Sequence, residues 1–231
     1  MKIDDALETI TRFFNDLIGT LVPGLVLITG LLVMHIGNSD HLNELISKSS
    51  GILLSMVLAL SYALGHIILA VFSSVIQKPL QRCGVLSNNP IKSLDKKKLF
   101  VLFQKLLSKK IDELTLDKPD EVAAKDWGYN DLRSLALSMS NEASSLGRRF
   151  MFISLLCNGV GTAILVMLID FSASTLLAPG MLYQYPVALP AFAQILLMLM
   201  GVYASYKQGD VFYIRAMSTP FPVAVSQFLI K

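Results

Sequence analysis

Residues 58–75 read LALSYALGHIILAVFSSV, an uncharged run into which a tyrosine, a glycine, a histidine and three serines are set. The run extends from 49 to 77 without an Asp, Glu, Lys or Arg, and three more such stretches cover 17–39, 150–169 and 171–206. Each reaches the roughly 18 to 20 residues that a helix needs to cross a hydrocarbon core of about 30 Å. Of the 231 residues, 53% are hydrophobic and 16% charged, against about 25% charged in an ordinary soluble domain. The pattern predicts an all-α integral membrane four-helix bundle. Its last uncharged stretch divides at Pro179, Gly180, Pro186 and Pro190 into an outer loop and a fourth span over 190–206.

Four crossings place both termini on one side. Fourteen of the twenty Lys and Arg residues lie between Lys78 and Arg149, whereas Lys48 alone falls in the short connections 38–50 and 170–189. Positive charge marks the cytoplasmic side, so the expectation is a multi-pass protein of a bacterial inner membrane with its termini in the cytoplasm. The opening MKIDDALE carries acids where a secretory signal needs a basic and then an apolar segment, so no cleaved targeting peptide is expected. Tyr183 and Tyr185 outside, and Tyr203, Tyr206 and Tyr213 inside, stand where interfacial aromatics belong. Cys83 and Cys157 form no CxxC pair, and neither a structural disulfide nor a thiolate metal site is expected.

The organisation follows as five segments. Ile3, Leu7, Ile10, Phe14 and Leu17 recur at steps of three and four opposite an acidic side, predicting an amphipathic interfacial helix over 1–18 that turns near Pro23 and Gly24. Spans one and two occupy 19–76. A basic cytoplasmic helical hairpin fills 77–147, spans three and four 148–206, and a cytoplasmic tail 207–231. In the hairpin, Asn88, Asn89 and Pro90 mark a loop and Ser93 can cap a helix with Leu99, Phe103, Leu106, Leu107, Ile111 and Leu114 on one face. Residues 92–110 carry seven basic and one acidic residue, a net +6. DKPDE at 117–121 breaks the pattern. A second helix from Asn130, with Leu132, Leu135, Ala136, Met139, Ala143 and Leu146 on its face, is expected to run into span three without a break. Prolines in the tail forbid a continuous helix, and its apolar character points to packing on the hairpin or on a neighbouring subunit.

Within lipid, helices associate by close packing of small residues and by hydrogen bonds. On span two Ser55, Ala59, Tyr62, His66, Leu69 and Ser73 form one seam with Gly65 beside it. Span three offers Ser154, Asn158, Gly161 and Thr162; span four Gln194, Met198, Gly201 and Ser205; span one Thr20, Gly24 and His35. In one reading these stripes satisfy each other, His66 bonding to Asn158, Gln194 or Tyr62. In the other, stripes of several subunits line a pore or proton path with His66 titrating near neutral pH. The first is preferred, because Asp170, the nearest acid, sits at the far end of its span.

No glycine-flanked nucleophile, metal-ligand spacing among His35, His41 and His66, or phosphate loop is present; GVGT at 159–162 lies inside a span. The chain therefore reads as a non-enzymatic protein needing no cofactor. For Lys96, Lys97, Lys98, Lys105, Lys109 and Lys110 the first ligand is anionic inner-leaflet lipid, the second an acidic protein. Direct nucleic-acid binding is not expected, since no aromatic or arginine pattern accompanies the lysines. Trp127 and Tyr129, in KDWGYN, form either a partner contact or a buried clasp of the hairpin. Together these features predict a membrane sensor or effector that forms a homo-oligomer and binds a soluble cytoplasmic protein, with a small ion channel or transporter as the alternative. The interruption at Pro23 and Gly24 is the one channel-like feature.

In layout, with LVPGLVLITG in the first span, SYALGH in the second and SSLGRRF leading into the third, the chain resembles the membrane subunits of bacterial phage-defence pairs such as Kiwa. The resemblance covers most of the chain as an arrangement of spans and hairpin. It implies a homo-oligomer that recruits a soluble, nucleic-acid-binding partner in antiviral defence.

Overall fold

The computed structural model describes residues 3–35, 51–87, 98–114, 127–178, 180, 182 and 189–230. Lys48, His41, Ser93, Lys96, Lys97, the Asn88–Pro90 loop, DKPDE and Tyr183 and Tyr185 lie outside them. Among the described residues the chain is all-α, with α1 Ile3–His35, α2 Gly51–Val71, α3 Gln77–Arg82, α4 Lys98–Leu114, α5 Tyr129–Ser138, α6 Asn141–Leu177, α7 Ala191–Ser218 and α8 Pro220–Ile230. Three helical runs are long and apolar enough to cross a membrane, Asp16–His35, Leu54–Arg82 and Asn141–Leu177, as expected of a multi-pass membrane protein. The expected fourth span is not among them. Its uncharged part, from Ala191 to Tyr206 on α7, rises only about 24 Å.

The described chain packs as two units. The first comprises Met1–Leu86 with Phe152–Gly209, the second Ser87–Met151 with Asp210–Lys231. In the first unit α1 corrects the expected turn near Pro23 and Gly24, because it runs unbroken for 33 residues through Pro23. Pro23 can give no N–H to the carbonyl of Gly19, four residues back. Such a proline is tolerated where neighbouring helices pack closely around it, and Pro23 is fully buried. Thr20 adds its own local bond, its hydroxyl donating to the Asp16 carbonyl at 3.0 Å with the Leu17 carbonyl at 3.1 Å.

A second proline sets the end of α2. Pro79 would clash with the carbonyl of Val75 in a regular helix, and the chain takes a π-turn over Phe72–Ile76, in which Gln77 N–H bonds to the Phe72 carbonyl. Helix α3 then stops at Gly84, whose φ of +74° suits glycine. Gly84 N–H meets the Gln81 carbonyl at 3.2 Å and Val85 N–H the Leu80 carbonyl at 3.0 Å, the paired bonds of a Schellman stop. Leu80 and Val85 close over a core of Phe72, Leu86 and Tyr206. Leu27, Ile68, Ala163 and Met167 form a second buried cluster in this unit.

The second unit has an aromatic core of its own. Phe100, Phe103 and Leu107 of α4, Leu132 and Ala136 of α5, and Phe221, Ala224 and Val225 of α8 are buried together. Phe221 is the hub, 4.8 Å from Phe100, 5.5 Å from Phe103 and 5.7 Å from Tyr129 between ring centroids. One sequence expectation changes here. The helix expected to run from Asn130 into span three is interrupted after Ser138, and α6 begins at Asn141. Buried Ser140 caps it, its Oγ accepting from the N–H groups of Glu142 at 3.2 Å and Ala143 at 3.3 Å. The break that the tail's prolines were expected to impose is present, with α7 ending at Ser218 and α8 starting at Pro220. Thr219 closes α7 onto the Arg215 carbonyl with both N–H, at 2.9 Å, and hydroxyl, at 2.8 Å. Pro220 and Pro222 then occupy the first turn of α8, where backbone N–H groups have no intrahelical acceptor anyway.

Candidate functional site

The first unit holds its helices together with small and hydroxyl-bearing residues. A Cβ built on Gly24 would collide with the backbone carbonyl of Ser61, and one on Gly65 with the carbonyl of Thr20. Helices α1 and α2 therefore touch backbone to backbone at a reciprocal glycine notch, the close approach that replaces hydrophobic attraction in lipid. Ser61 is buried there and turns its hydroxyl to the Val57 carbonyl at 2.7 Å.

A second polar line joins α6 to α7. Ser154 Oγ–H donates to the Gly209 carbonyl at 2.8 Å, and Thr162 Oγ1, which is 2.8 Å from the Asn158 carbonyl, lies 3.0 Å from the Tyr206 hydroxyl. Ser154, Asn158, Thr162 and Tyr206 are all buried, and Tyr206 stacks on Phe72 at 5.7 Å. Asn158 Oδ1 has no hydrogen-bond partner among the described residues. It presses on Gly209, where an added Cβ would strike it. Gly161 makes a similar notch: its Cβ would lie 3.1 Å from Ser205 Cβ and 3.2 Å from the Tyr206 ring. Gly201 sits more loosely, 3.6 Å from Ile164 by the same measure. Tyr206→Phe combined with Thr162→Val should show a coupling of about 0.6–2 kcal/mol in a double-mutant cycle on detergent unfolding.

The seam expected on α2 faces outward instead. Ser61, Gly65, Ile68 and Phe72 are the buried face of this helix and its π-turn, whereas Ser55, Tyr62, His66 and Ser73 are exposed. Ser55 Oγ–H returns to the Gly51 carbonyl at 2.9 Å and Ser73 Oγ–H to the Ala70 carbonyl at 3.0 Å. His66 and Tyr62 meet edge to face, ring centroids 4.6 Å apart at 89°. The structure does not bring His66 to Asn158 or Gln194. Asn158 is committed to the α6–α7 contact, and the Gln194 amide donates to the Leu189 carbonyl at 2.8 Å. The separation follows from helical phase, since Gly65 and His66 differ by about 100° around the axis and the glycine side is the one that fits α1.

One polar pair escaped the sequence reading. His35 Nε2 lies 2.7 Å from Asp170 Oδ2 across α1 and α6. The signal was present: Asp170 closes one uncharged stretch and His35 lies near the C-terminal end of another, so depth matching would have paired them. In the second unit buried Asp210 accepts from Ser87 N–H at 3.0 Å and Ser87 Oγ–H at 2.8 Å, holding the start of that unit. Burial pushes the nearby Tyr213 phenol up, with Arg133 opposing and Asp210 adding to the shift.

Helix α4 buries its phenylalanines and presents Lys98, Lys105, Lys109 and Lys110 at the surface. Leu99, expected on the buried face, is 46% exposed, and Phe100 takes its place. Trp127 and Tyr129 pack against the aromatic core, and the Tyr129 hydroxyl donates to the Met217 carbonyl at 2.6 Å. Of the two readings of this pair, the geometry is that of a clasp. No cluster of three or more His, Cys, Asp or Glu side chains stands close enough to hold a metal ion among the described residues. No family model, curated protein or solved structure matches this chain.

Proposed function

We propose that this chain is a non-enzymatic sensor or effector subunit of a bacterial inner membrane that oligomerises through its spans and binds a soluble cytoplasmic protein. The observation that carries this reading is the second unit: an aromatic core closed by the chain's own tail helix, with Lys98, Lys105 and Lys109 of α4 displayed on the outside. Such a unit is too well packed for a linker and offers an acidic partner a positive face. In this reading α7 supplies a fourth crossing, its short apolar part extended by Lys207 and Gln208 reaching toward the interface. Both termini then lie with the lysines in the cytoplasm. The layout's resemblance to phage-defence membrane subunits sets the proposed role in antiviral defence. The channel alternative loses support, because α1 passes Pro23 and Gly24 as one helix, without the unwound backbone that commonly forms an ion site.

The test is purification in mild detergent from cells carrying the gene's neighbourhood. A soluble protein should stay bound to the wild-type chain and be lost from the triple variant Lys98→Glu, Lys105→Glu, Lys109→Glu, whose mass in native mass spectrometry stays that of the oligomer. A monomeric chain with no cytosolic companion, or purified protein that conducts ions in liposomes, would overturn the reading.

A further inference from the structure

The run containing α2 is the least covered of the three candidate spans. Of its most apolar window 17% is buried inside the chain, against 44% for the run containing α6. Its exposed arc is not uniform. Met56, Leu60 and Ile67 are 64%, 55% and 57% exposed and form an aliphatic side suited to acyl chains. About 100° around the helix is centred a second exposed strip of Ser55, Ala59, Tyr62, His66, Ala70 and Ser73. Ser55 and Ser73 satisfy their hydroxyls on their own helix. The His66 imidazole and the Tyr62 hydroxyl do not, since among the described residues the rings meet only edge to face. An imidazole turned to lipid without a hydrogen bond is strongly disfavoured.

Resting on the reading of α2 as a membrane span, we propose that this strip is the docking face for a second copy of the same chain, α2 against α2. Three features select a second copy over another protein. Copies inserted in one orientation are related by an axis normal to the membrane, so every residue of the strip meets its counterpart at its own depth. The strip carries no charge and is its own complement, because neutral imidazole and phenol each donate and accept. Ala59 and Ala70 let two such helices approach closely beside the polar residues. His66 of one copy then bonds to Tyr62 or His66 of the other, in the polar contact that lipid cannot offer.

The experiment uses the full chain in native membranes, with Cys83→Ser and Cys157→Ala as background. Single cysteines are placed on the strip at Ser55, Ala59 and Ala70 and on the aliphatic side at Met56, Leu60 and Ile67. Oxidation should yield disulfide dimers from the strip positions and not from the aliphatic ones. His66→Leu should weaken self-association about tenfold, the equivalent of one interhelical hydrogen bond. Spin labels at the same six positions report oxygen accessibility. Cross-links centred on the aliphatic side would place the interface elsewhere and overturn the proposal. It fails equally if the strip shows the lipid exposure of the aliphatic side, or is shielded without cross-linking, which would assign it to a different protein. Water exposure at Leu60 and Ile67 would instead reject the span itself, and is thereby distinguished from failure of the interface.

Discussion

Replacing Phe221 by alanine is expected to destabilise the second unit by about 3–5 kcal/mol, the range for deleting a fully buried phenylalanine. Phe221 is 1% exposed and its ring touches Phe100, Phe103 and Tyr129, which belong to α4 and to the start of α5. Truncation removes all three ring contacts at once. A whole domain is stable by only about 5–15 kcal/mol, so the loss is a large fraction of what holds α4, α5 and α8 together. Hydrogen exchange in detergent should show the amides of 100–107 and 132–136 losing most of their protection. Leu229→Ala, 71% exposed on the same helix, should leave them within about 0.5 kcal/mol. Equal protection in Phe221→Ala and wild type would mean that α8 is not part of that core.

Gly24→Ala and Gly65→Ala carry the other large effect. Glycine to alanine inside an ordinary helix is favourable by about 0.5–1 kcal/mol. Here the added methyl groups meet the carbonyls of Ser61 and Thr20, and backbone of a packed helix cannot swing aside as a side chain can. Overpacking costs about 1–3 kcal/mol where side chains give way, and backbone contact puts these sites at or above the top of that range. Each variant should therefore lower the detergent melting temperature by roughly 6–12 °C, at about 2–4 °C per kcal/mol for a chain of this size. Gly51→Ala, with nothing within 4 Å of the added atom, should not. If Gly24→Ala melts like Gly51→Ala, the α1–α2 notch is wrong.

Much of the architecture was legible from residues alone. The spans could be read because a backbone in lipid must satisfy its own polar groups, so a crossing is a local property of about twenty consecutive residues. Three of the expected crossings are long apolar helices here. The apolar tail likewise announced that it must pack, and Phe221 is where it does. The misses were junctions. The cap at Ser140 was hidden inside a run whose apolar spacing continues across it. The π-turn at Phe72–Ile76 answers to Pro79, several residues downstream, and α1 passes Pro23 because buried neighbours support it. At Pro23 a local propensity was outweighed by packing, whereas at Ser140 and Pro79 one residue's backbone chemistry overrode the apolar spacing around it.

The candidate site divides along the same line. That α2 carries a polar strip, that α6 carries Ser154, Asn158 and Thr162, and that α4 carries lysines opposite apolar residues were all determined by sequence, since helical periodicity assigns residues to faces. Which face turns inward was decided only in three dimensions. Ser61 with Gly65 and Tyr62 with His66 are neighbouring, nearly equivalent stripes one residue apart, and hydropathy does not distinguish them. The choice falls to steric fit, because Gly65 leaves room for the Thr20 carbonyl and Gly24 for that of Ser61, whereas the rings of Tyr62 and His66 would hold α1 away. Close backbone contact outweighs burial of polar side chains where no water drives association, and so His66 is left on the outside of the chain.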